Sequence, residues 1–224
     1  TFSSGLSGTF HFVEGIAAEF SGLETAAFDT LSGSLGTGAV ALRTAQLAAA
    51  GRSWEALLET IPRLIANVRV FFCVNTLEYL KKGGRIGLIS TIAGTMLQIK
   101  PVLTFAPDGQ LTDLAKVRGR QQSLHKLAQL VLDVPLEDRR FLLMVAHGGT
   151  PADSAAVRDE LLAALPQPET LIEGVIDCTL GTHVGPGLVG AGILPLDDGD
   201  CMFHAALWGR PGFPRRAFCF AVFH

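Results

Sequence analysis

The sequence has few cysteines, no excess of basic residues and no long, purely apolar segment. Its four cysteines, Cys73, Cys178, Cys201 and Cys219, are widely spaced and form no CxxC pair. This spacing argues against a disulfide framework and a zinc site, and it favours buried thiols in a reducing cytoplasm. A net charge of -3 and an isoelectric point near 6.0 argue against a dedicated nucleic-acid-binding domain, which is normally strongly basic.

Membrane and export signals are also lacking. The longest uncharged segment of interest lies between Arg85 and Lys100 and contains glycine, serine, threonine and glutamine, so it suits a buried core segment better than a membrane span. Residues 1–10 lack the charged and apolar regions of a signal peptide. We therefore expect a cytoplasmic protein. Because Thr1 is not a start residue, we also expect the sequence to begin inside a longer chain.

The composition that is present is that of a globular protein, since 48% of the 224 residues are apolar and 17% are charged. Hydrophobic periodicity predicts strands alternating with helices, and Pro107, Asp108 and Gly109 predict the turn of a β-hairpin. This order is typical of an α/β half followed by an α+β half, with a boundary between Asn67 and Arg85. The predicted strands cover residues 1–4, 25–29, 68–74, 101–105, 111–117, 141–146, 171–177 and 190–196, and the predicted helices cover residues 10–20, 38–50, 54–65, 76–82, 120–132 and 151–165.

Ser7, Gly8 and Thr9 lie between the first predicted strand and the first predicted helix. A hydroxyl and free backbone N–H groups at the positive end of a helix dipole suit a carboxylate or a phosphate, and Gly8 would let the anion approach closely. Serine is also one of the commonest helix N-caps, a role that needs no ligand. The residues alone favour the N-cap interpretation for Ser7.

His183 is a second candidate, because it begins the tight segment HVGPG after a predicted strand. A histidine in such a loop can donate to an anion and can be tuned in its protonation. A single loop histidine is more often exposed to solvent and without a role.

Basic residues form a third candidate feature. Residues 116–126 contain no acidic side chain, and such a segment is usually a solvated surface. Alternatively, Arg118 could turn inward to hold a ligand head group, while its neighbours dock an acidic partner or the phosphates of a nucleotide. The same question applies to Lys81, Lys82 and Arg85, although cations in the last turn of a helix also complement its dipole.

Other motifs are weaker. Residues 36–41 fit G-x-G-x-x-A and residues 185–190 fit G-x-G-x-x-G, but a dinucleotide site needs a strand directly before the glycines and a helix behind them. We interpret both as turn glycines. Thr9 replaces the last glycine of a G-x-S-x-G elbow, which disfavours a serine hydrolase. His147, before two glycines, is interpreted as part of a strand-to-helix turn, and no spacing indicates a metal site.

Five segments together resemble a known family. They are SSGLSGTF at residues 3–10, VFFCVNTLEYLKKGGRI at 70–86, IKPVLTFAPDGQL at 99–111, KVRGR at 116–120 and HVGPG at 183–187. Their order and spacing over about residues 1–195 resemble the DegV family of fatty-acid-binding proteins. The resemblance implies an incomplete Rossmann-like α/β domain over residues 1–75, an α+β domain with a mixed or antiparallel sheet over residues 76–195, and an unrelated tail over residues 196–224.

The resemblance implies a carrier that is not itself an enzyme. The ligand would be a long-chain fatty acid such as palmitate, stearate or oleate, with no cofactor and no metal. A partner fatty acid kinase would convert the presented carboxylate to an acyl phosphate for phospholipid metabolism. On this pattern the carboxylate would be held by Ser7, Gly8, Thr9, His183 and Arg118, and the partner would dock on Lys81, Lys82, Arg85 and Arg120.

Burial of an acyl chain is energetically plausible, because a dozen CH₂ groups contribute roughly 10 kcal/mol before association costs are subtracted. The candidate walls of the pocket are Leu6, Phe10, Val13, Phe71 and residues 86–99. Each of these residues suits an ordinary core equally well.

The sequence also departs from the family's pattern. The opening quarter, with a Thr-Ser-x-Pro-Ser segment whose threonine contacts the carboxylate, is absent, so one side of the pocket would be missing. Asn75 stands where aspartate is more usual, and His11 and Phe12 replace more polar residues. Two alternatives therefore remain. One is a small α/β enzyme that binds a phosphorylated or dinucleotide ligand at its glycine-rich loops, and the other is a fragment that does not function by itself.

Overall fold

The structure is a computed structural model that describes residues 1–87, 89 and 99–197. The described residues form seven helices and six strands. The helices are α1 (Thr9–Glu19), α2 (Leu35–Ala49), α3 (Trp54–Asn67), α4 (Glu78–Lys82), α5 (Arg120–Leu132), α6 (Pro151–Ala164) and α7 (Cys178–Val184). The strands are β1 (Arg69–Cys73), β2 (Ile99–Phe105), β3 (Leu111–Arg118), β4 (Phe141–His147), β5 (Thr170–Val175) and β6 (Val189–Pro195).

The six strands form one sheet in the order β3-β2-β1-β6-β4-β5. Among these strands, β4 and β5 pair in parallel and the other neighbours are antiparallel. The prediction of a mixed α/β fold is therefore confirmed. The division into domains at residue 75 stays a prediction. Strand β1, which precedes that residue, pairs on both of its edges with strands that follow it.

Helices cover both faces of the sheet, and the side chains of β1 alternate between these two faces. Phe71 and Cys73 pack into the apolar cluster under α5 and α6. Val70 and Phe72 point to the opposite face, because successive side chains of a strand alternate. There Val70 packs with α2 and α3, while Phe72 belongs to a third cluster beside α4 and α7.

Local signals in the sequence placed most elements correctly. The hairpin of β2 and β3 turns at Pro107, Asp108 and Gly109, where the Asp108 carboxylate accepts a hydrogen bond from the Gln110 N–H at 3.0 Å. Ser53 caps α3, since its Oγ accepts from the Ala56 N–H at 3.2 Å. These features depend on residues close in sequence, which is why periodicity and turn chemistry predict them.

Two predicted strands are wrong, because residues 1–4 and 25–29 are irregular. Residues 1–3 do lie beside residues 30–32, with hydrogen bonds from Thr30 N to Thr1 O at 3.2 Å and from Ser3 N to Ser32 O at 2.8 Å. The pairing stops there because the Asp29 carboxylate takes the neighbouring backbone N–H groups of Ser4 and Leu31. The Asp29 carboxylate thus takes the place of the backbone carbonyls that would have continued the pairing.

The glycine motifs have different settings. Gly36 and Gly38 lie inside the first turn of α2 after an irregular segment, so their interpretation as turn glycines is wrong. Gly185 and Gly187 do lie in a turn, with φ of 77° and 84°, and the chain then enters strand β6. Neither motif has the strand–glycine–helix order that a dinucleotide site requires.

Several predictions concern residues outside the described ones. These are most of the uncharged segment 86–99, most of the tail 196–224, and Cys201 and Cys219. Of the other two cysteines, Cys73 is buried as predicted, whereas Cys178 is exposed at the start of α7. In the described part of the chain, no helix has the length and apolar character needed to cross a membrane.

Candidate functional site

The loop of residues 3–7 carries Ser7 to the start of α1. The Ser7 N–H donates to the carbonyl of Ser3 at 3.1 Å, which folds the loop back on itself. The Ser7 Oγ lies 2.8 Å from the Thr9 Oγ1 and accepts from the Thr9 N–H at 3.3 Å. The N-cap position belongs to Gly8, which has no side chain to offer. The N-cap interpretation of Ser7 is therefore wrong, and its half-buried hydroxyl lies beside the first turn of α1.

His183 lies in the last turn of α7 rather than in a loop after a strand. The N-cap of this short helix is Asp177, whose carboxylate accepts from the Leu180 N–H at 2.9 Å, and its C-cap is Gly185. The imidazole rests against Gly83, at the end of α4. Its Nδ1 atom is buried and has no hydrogen-bond partner among the described residues.

Arg85 connects the surroundings of these two side chains. Its Nε donates to the carbonyl of Leu6 at 3.3 Å, and its Nη1 donates to the carbonyl of Gly83 at 2.7 Å. One guanidinium thus links the residue before Ser7 to the glycine on which His183 rests. The sequence prediction assigned Arg85 to partner docking and did not foresee this bridge.

An apolar cluster lies beneath this arrangement. Leu6 packs against it, so the loop that carries Ser7 is anchored to the core by its neighbouring side chain. The candidate wall Phe71 lies on the other face of the sheet, and its neighbour Phe72 belongs to this cluster instead. The buried members of this cluster are Phe72, Val74, Leu80, Ile89, Leu103, Leu111, Val184 and Leu188.

Helix α1, which follows Ser7 and holds the candidate walls Phe10 and Val13, buries none of its described side chains. Phe12, Ile16 and Phe20 are spaced four residues apart and are exposed, with 68% of Phe12 accessible. Residues at this spacing share one face of a helix. Phe12 and Ile16 therefore form an exposed apolar stripe on α1, which Phe20 continues at the C-cap of the helix.

The HVGPG segment is fixed by close contacts with residues 75–79. A Cβ atom at Gly185 would lie 2.4 Å from the Tyr79 ring, and one at Gly187 would lie 1.9 Å from the Asn75 Nδ2. That Nδ2 donates to the carbonyl of Pro186 at 3.3 Å, a bond that an ionised aspartate at residue 75 could not make. These contacts explain why glycines are needed around His183.

The remaining predicted site residues lie in several settings. Arg118 is exposed at the end of β3, opposite Ile99 and at the far end of the hairpin from its turn. Arg120 forms an ion pair with Asp153 at 2.9 Å and also donates to the Cys73 Sγ at 3.6 Å. Lys81 and Lys82 are exposed on α4, and Lys82 pairs with Glu78 at 2.6 Å.

Cys73, to whose Sγ Arg120 donates, is buried. Burial raises the pKa of its thiol, and the positive charge of Arg120 opposes that shift only in part. A thiol held protonated in this way is a poor nucleophile. In the described part of the chain, no group of histidine, cysteine and acidic side chains could hold a metal ion.

Comparison with known proteins places this arrangement in a family. A family model described as "Uncharacterised protein, DegV family" matches residues 1–196. A DegV domain-containing protein of Clostridium acetobutylicum is 34% identical over 194 residues, which is 87% of this chain and 69% of the relative. One from Deinococcus radiodurans is 34% identical over 195 residues, covering 87% and 68%.

Solved structures agree with the sequence comparison. A fatty-acid-binding DegV family protein of Thermus thermophilus superposes with a TM-score of 0.80 at 34% identity, covering 87% of this chain and 69% of that protein. DegV of Bacillus subtilis, described as a fatty-acid-binding protein, gives a TM-score of 0.76 at 26% identity, covering 87% and 69%. With a family match over 196 residues and the same fold, the chain belongs to the DegV family.

Proposed function

We propose that this chain binds a long-chain fatty acid and holds its carboxylate between Ser7 and His183. Gly8 and Thr9 would complete the binding surface at the start of α1, whereas Arg118, at the far end of the hairpin from the turn that supports the Ser7 loop, is not part of this proposal. The observation that carries this proposal is the bridge from Arg85 to the carbonyls of Leu6 and Gly83. This bridge connects the loop that carries Ser7 to the glycine against which the His183 ring packs, and it does so through a cation, which suits an anionic head group.

The buried Nδ1 atom of His183 supports the same proposal. A buried polar atom without a protein partner costs free energy, and a ligand oxygen would offset that cost. The apolar cluster under Leu6 and the exposed stripe on α1 offer surface to an acyl chain. The related proteins of Thermus thermophilus and Bacillus subtilis are described as binding fatty acids.

Mass spectrometry of an organic extract from the purified protein tests the proposal. We expect a fatty acid in near-stoichiometric amount, and we expect less of it in Ser7→Ala and His183→Ala at equal protein concentration. Thr60→Val is the matched control, because it removes a buried hydroxyl in α3. An empty extract together with no uptake of added palmitate, stearate or oleate would overturn the proposal.

We further propose that the bound carboxylate is presented to a fatty acid kinase in the cytoplasm. In that reaction a carboxylate oxygen forms a bond to the γ-phosphorus of ATP, the bond to the β,γ-bridging oxygen breaks, and ADP leaves. The products are an acyl phosphate and ADP. The exposed side chains of Lys81 and Lys82, near the end of α4, would contact the kinase.

Hydroxylamine capture of acyl phosphate measures this step with purified kinase and ATP. We expect Lys81→Glu and Lys82→Glu to raise the KM for the loaded protein while its fatty acid content stays unchanged. Arg52→Glu, a charge reversal at an exposed residue just after α2, is the control. No acyl phosphate from a fully loaded protein would reject presentation but leave fatty acid binding intact.

A further inference from the structure

Ser3 is the most densely hydrogen-bonded residue of the loop that presents Ser7, and it is fully buried. Its carbonyl accepts from the N–H groups of Leu6 at 3.2 Å and Ser7 at 3.1 Å. Its Oγ accepts from the Gly5 N–H at 3.2 Å and donates to the carbonyl of Gly109 at 2.7 Å. The loop around Ser7 is therefore tied to a residue that is 106 positions away in sequence.

The same loop lies directly against the turn of the β2–β3 hairpin. A Cβ atom at Gly5 would lie 2.6 to 2.8 Å from backbone atoms of residues 108–110, and one at Gly109 would lie 2.1 Å from the Ser3 Oγ. Two backbones can approach this closely only where side chains are missing. The hairpin turn thus forms a rigid support beneath the loop.

We propose that Ser3 is a positioning residue, which uses the hairpin turn to fix the Ser7 hydroxyl where it contacts the ligand carboxylate. This inference rests on the proposed function, because it assigns a support to the same head-group site. Ser3 itself touches the backbone of the loop and not the ligand. Loss of its Oγ frees the Gly5 N–H and the Gly109 carbonyl together, so the loop loses its hydrogen bond to the hairpin turn and keeps only the backbone contact at Gly5.

The test separates head-group recognition from general stability. The Kd of the delipidated protein is measured for palmitate and for methyl palmitate, which has the same acyl chain but no carboxylate. A residue that positions Ser7 affects the ratio of the two Kd values, whereas a merely structural residue weakens both ligands alike. Thr44→Val, which removes another buried hydroxyl bonded within α2, is the control.

We expect Ser3→Ala to reduce the preference for palmitate over methyl palmitate by roughly fivefold. This is the effect of losing one hydrogen bond, here the bond between the Ser7 hydroxyl and the ligand carboxylate. Ser7→Ala should reduce it at least as much, and Thr44→Val should leave it unchanged. An unchanged ratio in Ser3→Ala, with a reduced ratio in Ser7→Ala, would overturn the positioning role alone. A wild-type protein without any preference would overturn both the proposed function and this inference.

Asp108→Ala keeps the test decisive if Ser3→Ala does not fold. Asp108 is exposed, and its carboxylate orders the hairpin turn by accepting from the Gln110 N–H. Its removal loosens the support without opening a cavity in the core. We expect a reduction of the preference by about twofold, and a preference equal to that of the wild type would overturn the inference.

Discussion

Gly83 lies so close to His183 that a Cβ atom at this glycine would be 2.5 Å from the imidazole Nδ1. The backbone of Gly83 is in the ordinary helical region, with φ of -78°. An alanine would therefore fit the backbone, and its methyl group would instead displace the ring of His183.

Gly83→Ala should accordingly lower the fatty acid content of the purified protein to about the level of His183→Ala. Gly38→Ala is the matched control, because no heavy atom lies within 4 Å of its Cβ position in α2. That substitution should stabilise the protein by up to about 1 kcal/mol, since alanine is the better helix former. Equal lipid content in Gly83→Ala and wild type would argue against His183 as a ligand.

Ser7→Ala should lower fatty acid content with little effect on the free energy of unfolding. The Ser7 hydroxyl interacts with Thr9 but does not cap α1. Ser53→Ala provides the contrast, because it removes a true cap of α3 and should cost about 1 kcal/mol. Urea denaturation combined with lipid extraction checks both effects. A stability loss in Ser7→Ala equal to that of Ser53→Ala would contradict this division of roles.

Arg120→Ala should reduce stability without a specific effect on kinase coupling. Its guanidinium is 20% accessible and forms an ion pair with Asp153 across the starts of α5 and α6. A double-mutant cycle with Asp153→Ala should give a coupling free energy of about 1 kcal/mol. Additive effects in this cycle would show that the ion pair does not stabilise the fold, and Arg120 would again be a candidate for docking.

Cys178 should react with a maleimide reagent much faster than Cys73 in the folded protein. Cys178 is exposed, whereas Cys73 is buried and its thiol has a raised pKa. The raised pKa of Cys73 also makes the free energy of unfolding depend on pH. The contribution of the protonated thiol to stability is fully present below the unfolded-state pKa of about 8.5, and it is lost as the pH rises through the higher pKa of the folded state. Peptide mapping by mass spectrometry measures both labelling rates at pH 7. Similar rates would show that Cys73 becomes accessible in the native state.

The amino-acid sequence by itself determined the elements whose causes are local. Helix α5, strand β4, the hairpin turn and the cap at Ser53 each depend on a few neighbouring residues, because periodicity, turn chemistry and capping act over short distances. The spaced segments that resemble the DegV family likewise predicted the fold class and the family. Sequence pattern also singled out Ser7 and His183 as candidates.

Tertiary structure decided what depends on residues far apart in sequence. It placed Phe71 on the face of the sheet away from Leu6 and made Gly8 the N-cap instead of Ser7. It also used Arg85 to join Leu6 to Gly83, and the bond from Arg85 to Leu6 spans 79 residues. Strand pairing and long-range hydrogen bonds set these features, and neither a strand's choice of face nor a side chain's distant partner is encoded by the residues next to it.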